Sequence, residues 1–479
     1  MNFSIIVYIL GWVITIESGF MLLPGVIGLI YSEKEAWSYF ICAVIGLVTG
    51  LVFALIKPKD KKFFAREGFA TVGLSWIFMS IFGAIPLCVS GDIPNYIDAL
   101  FEMSSGFTTT GATILKDVEA LSHAGLFWRA FSHWIGGMGV FVFLLAVMPL
   151  LGGMNMHLLR AESPGPIVGK LVPKMKDSSQ ILYLIYFGLT VLQFILLWIM
   201  GMTPFEAVCT AFSTAGTGGF GIYNSSIADF STLIKWNITI FMILFGVNFN
   251  VYFLILARKF KGIFKIEEVR WYFLIIFFAI AIIFANIVGS YESVGMAFTD
   301  AAFQVASIIT TTGFATCDFN LWPSLSKSVI ILIMFVGACA GSTGGGLKVS
   351  RILILFKAIK QEIILFIHPR SVKTVGMDDK TLDKNVVKSV VVYFSLFIIV
   401  LVVSAFLVSV DGFDLTTNFS SVLATINNVG PGFNITGPTG GFADFSIFSK
   451  IVFIIDMLAG RLELYPILLL IVPQMWKKH

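Results

Sequence analysis

Two stretches of this chain end an apolar run on the same small tetrapeptide, Thr-Thr-Thr-Gly, at residues 108–111 in "GFTTTGATILKD" and 310–313 in "SIITTTGFATCD". These residues hold no acid–base or nucleophilic pair. What they offer is oxygen. A dehydrated monovalent cation needs several oxygens at once, and neutral carbonyls supply them without trapping the ion. Glycine lets the backbone turn a carbonyl where a side chain would forbid it. Threonine favours the extended approach, and its hydroxyl adds an oxygen or braces the strand. Two further stretches share the pattern, "EAVCTAFSTAGTGGFG" at 206–221 and "SSVLATINNVGPGFN" at 420–434. Read against "DALFEMSSGFTTTGAT" and "DAAFQVASIITTTGFA", each is a short helical stretch broken at a glycine: Gly111, Gly218, Gly313 and Gly430, which are 107, 95 and 117 residues apart. No carboxylate lies within the four breaks, which argues against a divalent-ion site.

Positioning four such breaks requires a membrane. Of the 479 residues 57% are hydrophobic and 13% charged, about half the charged share of a soluble domain. Apolar stretches long enough to cross fall near 4–30, 37–57, 69–90, 125–151, 179–201, 234–257, 271–289, 326–367 (interrupted), 386–410 and 447–473, predicting ten crossings. The first is read as a retained span, since no basic n-region or small-residue cleavage site accompanies it. Shorter semi-polar stretches near 97–110, 204–217, 297–312 and 418–429 are expected to be re-entrant. With both termini inside, the cytoplasmic segments 57–66, 154–178, 258–270, 345–388 and the C-terminal tail hold 25 of the 32 Lys and Arg residues, as the positive-inside bias demands. The breaks then open on the outer face, beside Asp117, Glu119, Asp229, Asp318, Asp411, Asp414 and Asp444. Repeats of this period imply pseudo-symmetry, and non-helical backbone at membrane depth is tolerated where it is buried or lines a watery cavity. The expected fold is an all-α polytopic membrane protein: ten transmembrane helices and four re-entrant half-helices, in four pseudo-symmetric units around one pore.

Two features lie on the cytoplasmic side of the breaks. "GACAGSTGGGLK" (337–348) puts five glycines into one span, and a continuous helix there is disfavoured by about 0.5–1 kcal/mol per glycine. Gly341, Ser342, Thr343, Gly344, Gly345, Gly346 and Lys348 form either a movable gate loop beneath the third break or a close-packing glycine patch. Arg461 lies inside the last span, where a charge is costly and usually functional; pairing with Glu463, Asp456 or nearby carbonyls is the structural alternative. The five cysteines are scattered without CxxC spacing, against a zinc site or disulfide framework. An intramembrane enzyme would need paired ionisable groups, and Asp456 and His133 have no evident companions.

"TTTGAT", "GTGGF", "TTTGFAT" and "NNVGPGF", together with "FWRAFSHWIGGMGV" and "GACAGSTGGGLKVSR", resemble the Trk/Ktr/HKT superfamily, and the two extra N-terminal spans resemble its TrkH/TrkG branch. The resemblance implies a potassium uptake subunit, a homodimer with one pore per protomer. Residue by residue, it implies filter strands Thr109–Thr110–Gly111, Gly216–Thr217–Gly218, Thr311–Thr312–Gly313 and Asn428–Val429–Gly430. In related plant transporters a serine at the first filter position accompanies sodium permeation; four glycines here imply potassium, the alternative being a sodium-permeable or proton- or sodium-coupled symporter of the same architecture. The units implied are two N-terminal helices (1–66), then pore repeats at 67–178, 179–270, 271–385 (with a broken second helix) and 386–479. Arg461 is implied to project toward the pore below the filter as a barrier to cations. No covalently bound cofactor is expected; potassium ions occupy the filter. Nucleotide acts only through a TrkA-type cytoplasmic regulatory ring docked on the 345–388 face, where basic residues also suit lipid headgroups. Arg129 and His133 are expected to brace the filter.

Overall fold

The computed structural model describes residues 1–58, 64–137, 139, 175–263, 265–371 and 373–477. Its principal helices are α1 (Phe3–Phe20), α2 (Leu22–Ile30), α3 (Ala36–Ala54), α4 (Ala65–Ser90), α5 (Tyr96–Phe107), α6 (His123–Gly137), α7 (Met175–Ile199), α8 (Pro204–Ala215) and α9 (Thr232–Gly246). They continue with α10 (Asn250–Leu256), α11 (Glu267–Ile287), α12 (Val294–Ile309), α13 (Ser324–Val336), α14 (Val349–Ile367), α15 (Lys384–Val408), α16 (Leu415–Ile426), α17 (Ile447–Arg461) and α18 (Tyr465–Ile471).

Lipid as solvent explains how the outer helices distribute their side chains. On α3, Ile41, Val44, Ile45, Val48 and Val52 are exposed on one stripe. The opposite stripe is small, and the backbones close up there: a Cβ on Gly50 would sit 2.8 Å from the Gly11 carbonyl oxygen of α1. Among the described residues six helices are long and apolar enough to cross a membrane, and the pair α9–α10, bent by 96°, makes up to a seventh. Residues 138 and 140–151 of the expected fourth span (125–151), and 154–174 of the segment 154–178, lie outside the described residues. The expected eighth span is two helices, α13 and α14, and the tenth breaks after Arg461 before α18 begins.

The all-helical expectation needs one amendment. Gly376–Met377 pairs antiparallel with Lys380–Thr381, and the connecting Asp378 and Asp379 have φ of 52° and 61°, the left-handed pair of a type I′ hairpin turn. Aspartate tolerates this conformation better than most residues, so "MDDK" can turn without glycine.

The four semi-polar stretches are the short helices α5, α8, α12 and α16. Three have a side-chain cap. Asn95 Oδ1 accepts from Ile97 N (2.9 Å), Thr203 and Glu206 form a capping box, and Asp414 accepts from Thr417 N (3.2 Å). Each packs on the helix that follows it and on the helix that follows the preceding short one: α8 on α9 and α6, α12 on α13 and α9, α16 on α17 and α13. The series closes on itself, because α5 packs on α6 and, from the far end of the chain, on α17.

Candidate ion-binding site

Each short helix ends in the same local geometry, which follows from its backbone hydrogen bonds. The amides of Thr110, Gly218, Thr312 and Val429 each bond the carbonyl five residues back, on Ser105, Ser213, Ser307 and Ala424. The residue before each of these is left-handed: Thr109 (φ 54°), Thr217 (53°), Thr311 (58°) and Asn428 (55°). The residue after each is a glycine at positive φ: Gly111 (78°), Gly219 (78°), Gly313 (85°) and Gly430 (95°). The register expected for the second unit is therefore wrong by one residue. Thr217 corresponds to Thr109, Gly218 to Thr110, and Gly219, not Gly218, is the counterpart of Gly111. Both residues of the Gly-Gly pair need to lack a side chain, for different reasons. Gly219 is the left-handed turn, whereas a Cβ on Gly218 would overlap the His133 ring. The signal lay in the aromatic that follows: Gly219–Phe220 matches Gly313–Phe314.

The glycines also identify each unit's neighbour. A Cβ on Gly111 would overlap the Gly218 carbonyl oxygen, on Gly219 that of Thr312, and on Gly313 that of Val429. On Gly430 it would lie 2.6 Å from that of Thr110. Each left-handed glycine thus abuts the carbonyl preceding the next unit's glycine, and the fourth returns to the first. All four glycines line one cavity of about 120 Å³, together with Thr113, Lys116, Arg129, Asn224 and Phe442.

The first threonine of each Thr-Thr-Thr-Gly turns back to its helix. Thr108 Oγ1 bonds Ser104 O (2.6 Å) and Thr110 Oγ1 (2.7 Å), and Thr310 repeats this with Ala306 O (2.6 Å) and Thr312 Oγ1 (2.8 Å). In the fourth unit, Asn428 Nδ2 donates to Thr110 Oγ1 (3.0 Å) and Met457 O (2.9 Å), tying the last unit to the first.

Behind the breaks lies an ion pair whose acidic member was not singled out from the sequence. Arg129 Nε and Nη2 donate to Glu102 at 2.8 Å, with both side chains essentially inaccessible. Glu102 also accepts from Thr113 Oγ1 (2.9 Å) and Ile114 N (3.0 Å), and Arg129 stacks 4.1 Å over Phe220. The pair joins the segment after Gly111 to the segment after Gly219. His133 stacks on Phe220 with ring centroids 4.2 Å apart, and its Nδ1 accepts from Phe220 N (3.4 Å).

On the opposite side of the breaks, the helix stops at Val336 and resumes at Val349, and the intervening loop reaches the third and fourth units. Gly345 N donates to Thr311 Oγ1 (2.6 Å), and a Cβ on Gly344 would lie 2.8 Å from the Thr310 carbonyl oxygen. Phe249 N donates to Gly341 O (3.0 Å), Ser342 Oγ to Cys339 O (2.6 Å), and Lys348 Nζ to Gly344 O. A Cβ on Gly346 would press on Gly337 at 2.8 Å. Arg461 spans from the loop to the first unit, donating to Thr343 O (2.8 Å), Gly136 O (2.5 Å) and Gly137 O (3.1 Å). Of the alternatives read from the sequence, the carbonyls hold Arg461. Glu463 pairs with Arg351 at 2.5 Å, and Asp456 accepts from Ser404 (2.7 Å).

Comparison with known proteins places these features in context. The TrkH family model, described as "Cation transport protein", matches residues 34–478. The Trk system potassium uptake protein TrkH of Salmonella typhimurium is 36% identical over 489 residues, covering all of both chains. The Trk system potassium uptake protein TrkG of Escherichia coli K12 is 34% identical over 480 residues, covering 99% of this chain and 98% of its own. The crystal structure of the potassium transporter TrkH from Vibrio parahaemolyticus superposes with a TM-score of 0.88 at 33% identity, over the full length of both chains.

Proposed function

This chain belongs to the TrkH family of cation transport proteins, and from that premise we propose that it carries potassium into the cell through one pore along the common axis of its four breaks. The observation that carries the reading is the closed cycle of glycine-to-carbonyl contacts, in which Gly111, Gly219, Gly313 and Gly430 each abut the next unit's backbone. In this reading the filter is Thr109–Thr110–Gly111, Thr217–Gly218–Gly219, Thr311–Thr312–Gly313 and Asn428–Val429–Gly430, with Gly216 one step below. Its oxygens are neutral, which suits a monovalent ion in transit. Glycine in all four units favours potassium over the sodium-permeable alternative.

The chain crosses ten times with both termini cytoplasmic, and the short helices enter and leave on the outer face. Two N-terminal helices precede four repeats bounded near residues 67, 179, 271 and 386. The loop 337–348 is the gate, and Arg461 is the electrostatic barrier beneath the filter. A nucleotide-binding ring of the TrkA type docks on the 345–388 face, and two copies of the chain form a homodimer.

The test is the reversal potential of the purified protein in liposomes under opposed potassium and sodium gradients. Wild type is expected near the potassium value, and Gly313→Ser shifted toward sodium. Gly412→Ser is the control, since Gly412 is also left-handed (φ 77°) but has nothing within 4 Å of its would-be Cβ. Equal permeability in wild type, or the same shift in both variants, refutes the assignment.

A further inference from the structure

The loop between Val336 and Val349 leaves backbone donors that a continuous helix would have satisfied itself. In such a helix the amide of Ala340 would bond Val336 O, and that of Ser350 would bond Gly346 O. Here both donate to one oxygen of another helix. Glu268 Oε1, in the first turn of α11, accepts from Ala340 N (2.6 Å) and Ser350 N (3.0 Å). Its Oε2 faces Asn248 Nδ2 at 3.5 Å, and the residue is 3% exposed. Lys348, the N-cap of α14, sits at φ 76° and its side chain offers no capping oxygen, so Glu268 caps this helix from outside. A carboxylate is well matched to the positive end of a helix.

The turn that carries Glu268 is itself fixed. Glu267 N donates to Asp378 Oδ1 of the cytoplasmic hairpin (2.8 Å). The Glu267 carboxylate pairs with Lys357 of α14, and Lys357 Nζ also donates to Gly376 O (2.8 Å). Two consecutive side chains therefore face two different things: Glu267 faces Lys357 of α14, and Glu268 the loop.

We propose that Glu268 is a latch that holds the 337–348 segment in its looped, filter-blocking form. Resting on the reading of that loop as the gate, it acts as a positioning residue and contacts no ion. One carboxylate oxygen stands in for two lost helix bonds at opposite ends of the break, and so favours the loop over a straightened segment. Opening by straightening has to release at least one of the two amides. Weakening the acceptor therefore shifts the balance toward the open form without altering the filter.

The experiment uses the full-length protein in liposomes without any regulatory partner, as wild type, Glu268→Gln, Glu268→Asp and Glu268→Ala. Single-channel recording reads open probability, unitary conductance and potassium-over-sodium reversal potential. Hydrogen exchange reads the amides of Ala340 and Ser350. Glu268→Gln keeps an acceptor of the same shape but loses its charge. It is expected to raise open probability about tenfold, equivalent to about 1.4 kcal/mol, and Glu268→Ala more. Glu268→Asp lies between wild type and Ala, and conductance and reversal potential stay at wild-type values. Exchange at the two amides quickens in parallel. If Ala does not fold, Gln decides.

Unchanged or reduced open probability in folded Gln protein overturns the latch, as does unchanged exchange at both amides. A wild type that is not potassium-selective overturns the transport reading instead. The exchange data then judge the latch on their own.

Discussion

Removing Glu102 is the sharpest test of how the breaks are held in place. In Glu102→Ala the Arg129 guanidinium, 1% exposed as a residue, keeps its stacking on Phe220 but loses its counter-charge. Breaking a buried pair by deleting one member costs about 3–5 kcal/mol, because a charge is left uncompensated. Thr113 Oγ1 and Ile114 N lose their acceptor in the same change, so the upper end of that range is expected. Arg129→Met is expected at the lower end of that range, since the buried Glu102 carboxylate loses its counter-charge but retains those two donors. The double variant Glu102→Ala/Arg129→Met leaves no buried ion and is expected to recover at least about 1 kcal/mol relative to the sum of its single changes. Equilibrium unfolding in mixed micelles measures the cycle, and the liposome reversal potential reads its effect on ion selectivity. Glu102→Ala is expected to lose selectivity as well as stability, because the pair joins the segments following Gly111 and Gly219. Single costs below about 1 kcal/mol, or strictly additive changes, would refute the argument that this pair braces the breaks.

Arg461→Gln removes a positive charge held against Thr343, Gly136 and Gly137. By Coulomb's law a unit charge raises a cation's energy by about 1.7 kcal/mol at about 10 Å and an effective dielectric constant of about 20. On that scale single-channel potassium conductance is expected to rise about 10- to 20-fold, and an unchanged conductance removes Arg461 from the barrier. Thr203→Ala deletes the cap of α8 and is expected to cost about 1 kcal/mol in the same unfolding assay; no measurable cost would place the stability of α8 entirely in its packing. At the start of α16, hydrogen bonding by Thr417 holds the Asp414 carboxyl below its ordinary value. A lowered folded-state value means its stabilising effect is complete above the ordinary carboxylate range and disappears as pH falls through the folded value. The melting-temperature gap between wild type and Asp414→Asn is thus expected at neutral pH and to close in strong acid; a gap independent of pH contradicts it.

Much of this arrangement was legible because the bilayer leaves few choices. Apolar length marks where helices run, and four broken segments of similar composition mark where they stop. The hidden parts involve residues with two simultaneous constraints. In "GTGGF" both glycines are needed, one for its φ and one for the His133 ring, so composition alone did not distinguish them. The Gly-Phe pair shared with the third unit would have done so. Glu102 reads as one more polar residue on a semi-polar helix until Arg129, 27 residues later, closes on it. Glu268 is similarly opaque, because its partners are backbone amides 72 and 82 residues away that become donors only once a helix has broken. The hairpin at 376–381 escaped because its turn uses two aspartates where glycine is the familiar signal.

The closing contact of the cycle joins the two ends of the polypeptide. Asn428 reaches Thr110 across 318 positions, and Lys450 meets Asp98 at 2.7 Å across 352. During synthesis the first three breaks leave the ribosome while their fourth neighbour does not yet exist, and contacts of such sequence separation form late. Until the last unit inserts, the carbonyls of Gly218, Thr312 and Thr110 face an incomplete enclosure. A chain cut short before residue 430 therefore lacks the contact between Gly430 and the Thr110 carbonyl that closes the cycle.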